Sequence, residues 1–343
     1  MRSVDDPSGG AATAAPDPRR PDGAADPAPV TGVSGRWRPS AFDIGPAVLV
    51  LLLVALAMTT PRFFSADNVR AILASSAFVG ITAIGATLVM ISGSVVSLAT
   101  AQTATVVAML FLSTQQLGLA VSLLIALAAG VALTALQGAV IGYWNANPIV
   151  LTIAAGFALG GAATWFSDGT TVYPESKAFD ALNATPLALP LAVYVLLAVA
   201  VLAEWTLRRT TAGRQMYLVG ENRDAARAAG LPAGRVTVIA WAFFGACIAL
   251  TGVFLASFHT SATVTLGGTL SLDAIAAVLL GGTAIAGGRG TALQTLGGAV
   301  LISVISDVLL LRGFSTGVQI LVKGILVLAV VTFVYLRATK GRR

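Results

Sequence analysis

Between Leu270 and Val331 the chain carries three apolar runs, LSLDAIAAVLLGGTAIAG, TALQTLGGAVLISVISDVLLL and TGVQILVKGILVLAVV, each too long and too uniform for a water-facing surface. Glycines rather than charged linkers punctuate them, at Gly281-Gly282, Gly287-Gly288-Arg289-Gly290 and Gly297-Gly298. In lipid, glycine lets helices approach closely or the chain turn sharply. The combination predicts an all-α, polytopic membrane bundle with a path through it rather than a simple anchor.

Composition excludes the soluble alternative. Of 343 residues, 56% are hydrophobic and only 10% charged, against roughly 25% charged in soluble chains. A span needs roughly 20 apolar residues, so the chain beyond its N-terminal tail holds about ten. Apolar stretches read against their breakers place them at 44–60, 68–91, 94–113, 117–142, 147–166, 187–207, 235–258, 270–286, 291–311 and 315–336. The 94–113 segment is separated from its predecessor only by Ser92, Gly93 and Ser94. It is expected to be broken or re-entrant, which a membrane tolerates where protein or a water-filled cavity satisfies the backbone. With one cysteine and one histidine, disulfide frameworks and Cys/His metal sites cannot be built.

Residues 1–43, rich in Pro, Ala, Asp and Gly, lack apolar periodicity and read as a disordered tail. The first apolar core, Ile44 to Met58, follows too long a tail for a signal peptide. The transmembrane domain is therefore placed at 44–336, followed by a basic tail at 337–343. Lys and Arg flanking the spans favour the cytoplasm. With both termini inside, most of the 21 Lys and Arg residues fall on that side, and only Arg62, Arg70, Lys177, Arg312 and Lys323 fall elsewhere. The basic balance thus reports topology in a lipid bilayer and does not call for nucleic acid.

The longest inside loop, 208–235, contains a short helix with its own punctuation. Asn222 is the expected N-cap and Gly230 the stop, with Pro232 beyond. Ala225, Ala226, Ala228 and Ala229 would form a nearly flat surface, with Arg223 and Arg227 one turn apart on another side. So short a helix is marginal alone, and it suits either a groove on another protein or packing on the membrane face.

This loop, GRQMYLVGENRDAARAAGL, together with LDAIAAVLLGGTAIAGGRGT, NPIVLTIAAGFALGGAA and ISDVLLLRG, resembles the membrane permease subunits of bacterial ABC importers for ribose, xylose, related monosaccharides and autoinducer-2. The resemblance covers roughly residues 44–331. It implies that Glu221, Asn222, Arg223, Asp224, Ala225, Ala226, Arg227, Ala229 and Gly230 form a coupling helix docked on an ATPase subunit. It also implies that Asp273 to Gly290 lies beside a translocation path shared by two permease copies or a pair of paralogues. No cofactor is then expected in this chain, ATP and Mg belonging to the partner ATPase. An extracytoplasmic substrate-binding protein is the expected partner at the outer face, where the loop 167–186 carries Asp168, Glu175, Lys177 and Asp180. The chain departs from the family in two places. Its Gly-Gly-Ile-Asp-Leu-Ser motif is here Gly93 to Leu98, with Val96 in place of the Asp, and Asp307 stands where an amide is usual.

Candidates for the path are Ser97, Thr152, Asp273, Thr283, Gln294 and Asp307, with Gln102. Hydroxyls and amides pass a neutral polyol without burying a charge. Asp273, Asp307 and Lys323 are the ionisable groups nearest the bilayer interior, where each needs a partner or water. Asp307 is either an extra buried charge or a partner for Lys323, and Asp273 either lines the path or caps its helix. Trp165, Phe166, Phe243, Phe244 and Phe258 serve either as stacking faces or as packing, and His259 reads as a loop residue. None of Lys177, Lys323 and Lys340 belongs to a G-x-x-x-x-G-K-[ST] phosphate loop, so the chain is not expected to be an enzyme. An ion- or proton-coupled secondary transporter is the alternative, and it would need an ionisable site of its own. An intramembrane hydrolase lacks a nucleophile motif.

Overall fold

A computed structural model describes residues 59–61, 63–174 and 176–340. The tail expected at 1–43, nearly all of the first span at 44–60, Glu175 and residues 341–343 lie outside the described residues. The described chain is helical, and its one backbone pairing of strand type is an isolated bridge between Val172 and Ala262. In order the helices are α1 (Ala66–Ile91), α2 (Thr100–Ser113), α3 (Leu119–Trp144), α4 (Pro148–Ser167) and α5 (Leu191–Arg209). The 208–235 loop folds into α6 (Thr211–Glu221) and α7 (Arg223–Ala228). Then follow α8 (Ala233–His259), α9 (Leu270–Leu280), α10 (Ala292–Leu311) and α11 (Thr316–Lys340).

Among the described residues, α1, α3, α4, α5, α8 and α10 are the 6 helices long and apolar enough to cross a bilayer. α2, α9 and the 316–330 part of α11 are shorter apolar helices. Two of the expected spans are therefore corrected. Residues 94–97 are non-helical, so the 94–113 segment is helical only from Thr100, as its glycine-serine entry foreshadowed. The 270–286 span stops at Leu280, because Gly281 and Gly282 end the helix, Gly282 with φ 82°.

Helix starts follow local chemistry. The Ser65 hydroxyl accepts from Asn68 N, Asn147 Oδ1 from Ile149 N, and Thr291 Oγ1 from Gln294 N. Pro148 occupies the first turn of α4, where a missing N–H leaves no bond unmade.

The core is organised by small residues. Ser122, Ala126, Gly130, Thr134, Gly138 and Gly142 recur every fourth position of α3, all are buried, and α3 packs on α8. A methyl group at Gly138 would stand 2.5 Å from Trp241 Cβ, at Gly130 2.7 Å from Ala249 Cβ, and at Gly142 2.8 Å from the Gly234 carbonyl oxygen. Small side chains at this spacing bring two helix backbones together, which is where membrane helices gain their packing energy. The fully buried Trp241 and Phe244 meet edge to face at 6.2 Å. Phe244 is therefore packing rather than a face for a ligand. α1 is enclosed by α5, α8, α9 and α10. Hydroxyl pairs Thr82–Thr251 at 2.8 Å and Thr87–Thr295 at 2.7 Å pin it to α8 and α10 while satisfying buried polar atoms.

Candidate functional site

The two shorter helices α2 and α9 meet at their N-terminal ends. Ala101 N donates to Ser271 Oγ at 2.9 Å, and Gly267 N donates to Thr105 Oγ1 at 3.0 Å. A methyl at Gly267 would run into the Ala101 backbone. The turn after α8 thus packs along α2, and α9 starts beside its first turn. With 14 and 11 residues, α2 and α9 are about 21 and 16 Å long, each short of the roughly 30 Å hydrocarbon thickness. Each N-terminus carries the positive end of its helix dipole.

Polar side chains surround this meeting point. Ser97 Oγ accepts from Ala99 N at 3.1 Å and donates to Gln137 Oε1 at 3.4 Å. Gln102 Oε1 is buried without a hydrogen-bond partner, 3.8 Å from where a methyl on Gly156 of α4 would lie. Thr152, one turn earlier on α4, is fully buried and bonds the Ile149 carbonyl. Sequence reasoning missed Gln137 and Ser271. Gln137 interrupts an apolar helix on the same side as the small-residue stripe, which was the available signal. Val96, at the family's Asp position, is buried, so this cluster of hydroxyls and amides carries no carboxylate there.

Asp273 sits in the first turn of α9, where Oδ2 accepts from Thr269 Oγ1 at 2.7 Å. Its Oδ1 lies 2.7 Å from Lys323 Nζ of α11. A cavity of about 170 Å³ between α9 and α11 is lined by this pair together with Thr269, Leu272, Ile320 and Val327. Of the two readings open for Asp307, the partnership with Lys323 is not what the structure shows: Asp307 Oδ2 accepts from Asn68 Nδ2 at 2.8 Å.

Thr283 and Gln294 fall elsewhere than Ser97 and Thr152. Thr283 is buried in the glycine turn after α9, and Gln294 is exposed in the first turn of α10. The six path candidates therefore do not line one surface. Ser97 and Thr152 flank the meeting point, Asp273 lies in the first turn of α9 beside Ser271, and Thr283, Gln294 and Asp307 belong to other contacts. Trp165, Phe166 and Phe258 are exposed at helix ends, and His259 ends α8, its ring edge-on to Phe258 at 5.4 Å.

α6 and α7 form the second part of the site. Asn222 caps α7 through Oδ1, which accepts from Asp224 N at 3.1 Å and Ala225 N at 2.9 Å. Gly230, with φ 78°, and the Leu231 N to Ala226 O bond of 2.9 Å close its other end. The alanine surface needs one correction. Ala226 is buried, because the helix turns it inward, so Ala225, Ala228 and Ala229 alone face outward beside exposed Glu221, Asp224 and Arg227. Arg223 also points inward, its Nη2 donating to the Gly142 carbonyl at 3.0 Å. Arg227 Nη2 donates to Asn145 Oδ1 at 2.7 Å. Both arginines thus hold α7 against the C-terminal end of α3, where a cation meets the negative end of the dipole. Burial, with Arg227 nearby, lowers the Arg223 pKa, and Asp224 opposes this.

α5 fixes the neighbouring turn. Glu204 pairs with Arg208, and Glu204 Oε2 accepts from Ala292 N at 3.0 Å, so one carboxylate holds the start of α10. Tyr217 Oη of α6 donates to the Gly290 carbonyl at 2.8 Å. Burial, and then the Glu204 carboxylate, push its phenol above the ordinary value, partly offset by Arg208.

No solved structure matches this chain significantly. Among curated proteins, it is 30% identical to the ribose import permease protein of Escherichia coli K12 over 297 residues, 83% of this chain and 91% of that one. The probable ABC transporter permease protein YphD of the same organism is 32% identical over 301 residues, 86% and 91% of the two chains. The L-arabinose transport system permease protein of Escherichia coli K12 is 30% identical over 298 residues, 83% and 88% of the two. The model of the branched-chain amino acid transport system / permease component family matches residues 68–331. The chain, apolar along its helices and alike to these permeases over most of its length, belongs to that family of membrane transport permeases.

Proposed function

We propose that this chain is the membrane-spanning subunit of a bacterial ATP-binding cassette importer and that it translocates a small neutral solute, a monosaccharide. Its relatives include permeases named for ribose, L-arabinose and autoinducer 2. The observation that carries the reading is α7, a helix held from behind by Arg223 and Arg227 that turns Ala225, Ala228 and Ala229 outward. A rigid, shallow, small-residue surface is what a docked ATPase subunit would grip. ATP and Mg would be held by that partner, so this chain supplies the path and no catalysis.

Residues 44–336 form the transmembrane domain in this reading, with about ten membrane segments, the broken ones counted, and both tails in the cytoplasm of a bacterial inner membrane. The 208–235 loop then faces the ATPase, and the loop 167–186 faces an extracytoplasmic substrate-binding protein. A second copy or a paralogue completes the path. Ser97, Gln102, Gln137, Thr152 and Ser271 offer hydroxyls and amides to a polyol without charge, which suits a neutral cargo. A secondary transporter would need an ionisable group free to load and release an ion. Asp273 and Lys323 neutralise each other, and Asp307 is bonded to Asn68, which favours the importer.

The test is a mild-detergent pull-down of the tagged full chain from its native membrane, with identification of what copurifies. Retention of an ATPase subunit by the natural chain, and its loss from Ala225→Arg protein of equal folded yield, supports the reading. A folded natural chain that brings down no ATPase refutes it.

A further inference from the structure

Three segments far apart in sequence touch through glycine backbone at one point. Gly93, just past α1, has φ 79°, and Gly287 and Gly288, in the turn after α9, have φ 88° and 70°. Gly220 lies in the last turn of α6. Gly288 N donates to the Ile91 carbonyl at 3.0 Å. A methyl on Gly220 would collide with that same carbonyl and stand 2.7 Å from Gly288 N. One on Gly287 would stand 2.8 Å from Gly93 Cα and 2.9 Å from the Gly220 carbonyl oxygen. Positive φ requires glycine at three of these positions, and close approach requires it at the fourth. Tyr217, one turn before Gly220, donates its hydroxyl to Gly290 in the same turn.

The point joins the right elements. α6 runs into α7 through Asn222 alone, α9 runs directly into the glycine turn, and Gly93 lies in the non-helical link that leads to α2. A displacement of α7 therefore reaches both shorter helices here, through backbone with no flexible side chain between. Beside the point, the hydroxyls of Ser94 and Thr283 are buried without hydrogen-bond partners. Packed contacts of this kind switch between discrete states rather than deform continuously.

We infer that the contact of Gly93, Gly220, Gly287 and Gly288 is the joint that passes motion of α7 to α2 and α9, and that Tyr217 is a positioning residue that holds its register. The inference rests on the reading of α7 as the helix that docks an ATPase.

The test uses the full chain with its copurified ATPase in lipid nanodiscs, spin-labelled at Leu272→Cys on α9 and Leu136→Cys on α3, with ATP and vanadate as the probe. Both positions are exposed, and the natural Cys247 is buried. The natural background should shift its inter-label distance when the nucleotide is trapped. Tyr217→Phe removes one hydrogen bond, and it should reduce the ratio of shifted to unshifted molecules about fivefold, compared at equal amounts of copurified ATPase. Gly220→Ala should abolish the shift; if that variant does not fold, Tyr217→Phe decides alone. A full shift in Tyr217→Phe overturns the inference, even if its melting temperature falls, since the bond is then structural only. A natural chain that retains no ATPase refutes the importer reading itself and the joint with it, a result distinct from a bound ATPase with an unaffected variant.

Discussion

The Lys323 ammonium lies 2.7 Å from an Asp273 carboxylate oxygen, which ties α11 to the first turn of α9. The side chains are 12% and 10% exposed, so each charge depends on the other for solvation. Removing one partner of a buried pair costs about 3–5 kcal/mol, whereas neutralising both is often mild. Lys323→Met should therefore lower the melting temperature of detergent-solubilised protein sharply. The double variant Asp273→Asn/Lys323→Met should recover most of it, as read by fluorescence-detected size exclusion.

On α7, neighbouring alanines should behave in opposite ways. Ala225 is exposed and Ala226 is buried. Ala225→Arg and Ala229→Arg should leave insertion and monodispersity intact and abolish copurification of an ATPase. Ala226→Arg should reduce folded protein itself, because an unpaired charge would enter the packing behind the helix.

The small-residue stripe of α3 predicts a steric effect at a defined place. Gly138→Val should destabilise the protein by roughly 1–3 kcal/mol or prevent assembly, since even a methyl would stand 2.5 Å from Trp241 Cβ. Gly161→Val on α4, where no atom lies within 4 Å, should leave melting in detergent unchanged.

Tyr217 gives a pH dependence with a definite sign. Burial and Glu204 raise its pKa above the free value, so the folded state favours the protonated phenol. That contribution is fully present below about pH 10, the unfolded value, and is lost as pH rises through the folded one. The natural chain should lose more stability than Tyr217→Phe between neutral pH and about pH 11, measured as paired melting curves.

Much of this molecule is legible without coordinates. Long apolar runs dictate helices in lipid, and Asn222 and Gly230 bracket α7 because their side-chain and backbone chemistry is local. The Ser92-Gly93-Ser94 break foretold that the next segment would not be a continuous helix. What was misplaced depends on long-range geometry. Thr283 and Gln294 are polar residues in apolar runs, as Ser97 and Thr152 are, yet the fold puts Thr283 in the glycine turn, Gln294 in the first turn of α10, and the other two at the α2–α9 meeting point. For Asp307 composition leaves open both an extra buried charge and a partnership with Lys323, and only packing decides that Lys323 of α11 faces Asp273 of α9.

The sequence alone determined the helical class, the broken segments, and the short helix of the 208–235 loop with its caps, because each follows from solvation and backbone chemistry within a few residues. Tertiary structure alone decided that Ala226 and Arg223 turn inward, that Ser271 and Gln137 join the polar cluster, and that Gly93, Gly220 and Gly287 touch. The last contact joins segments that no local rule connects, and it exists because three backbones without side chains can approach to van der Waals distance.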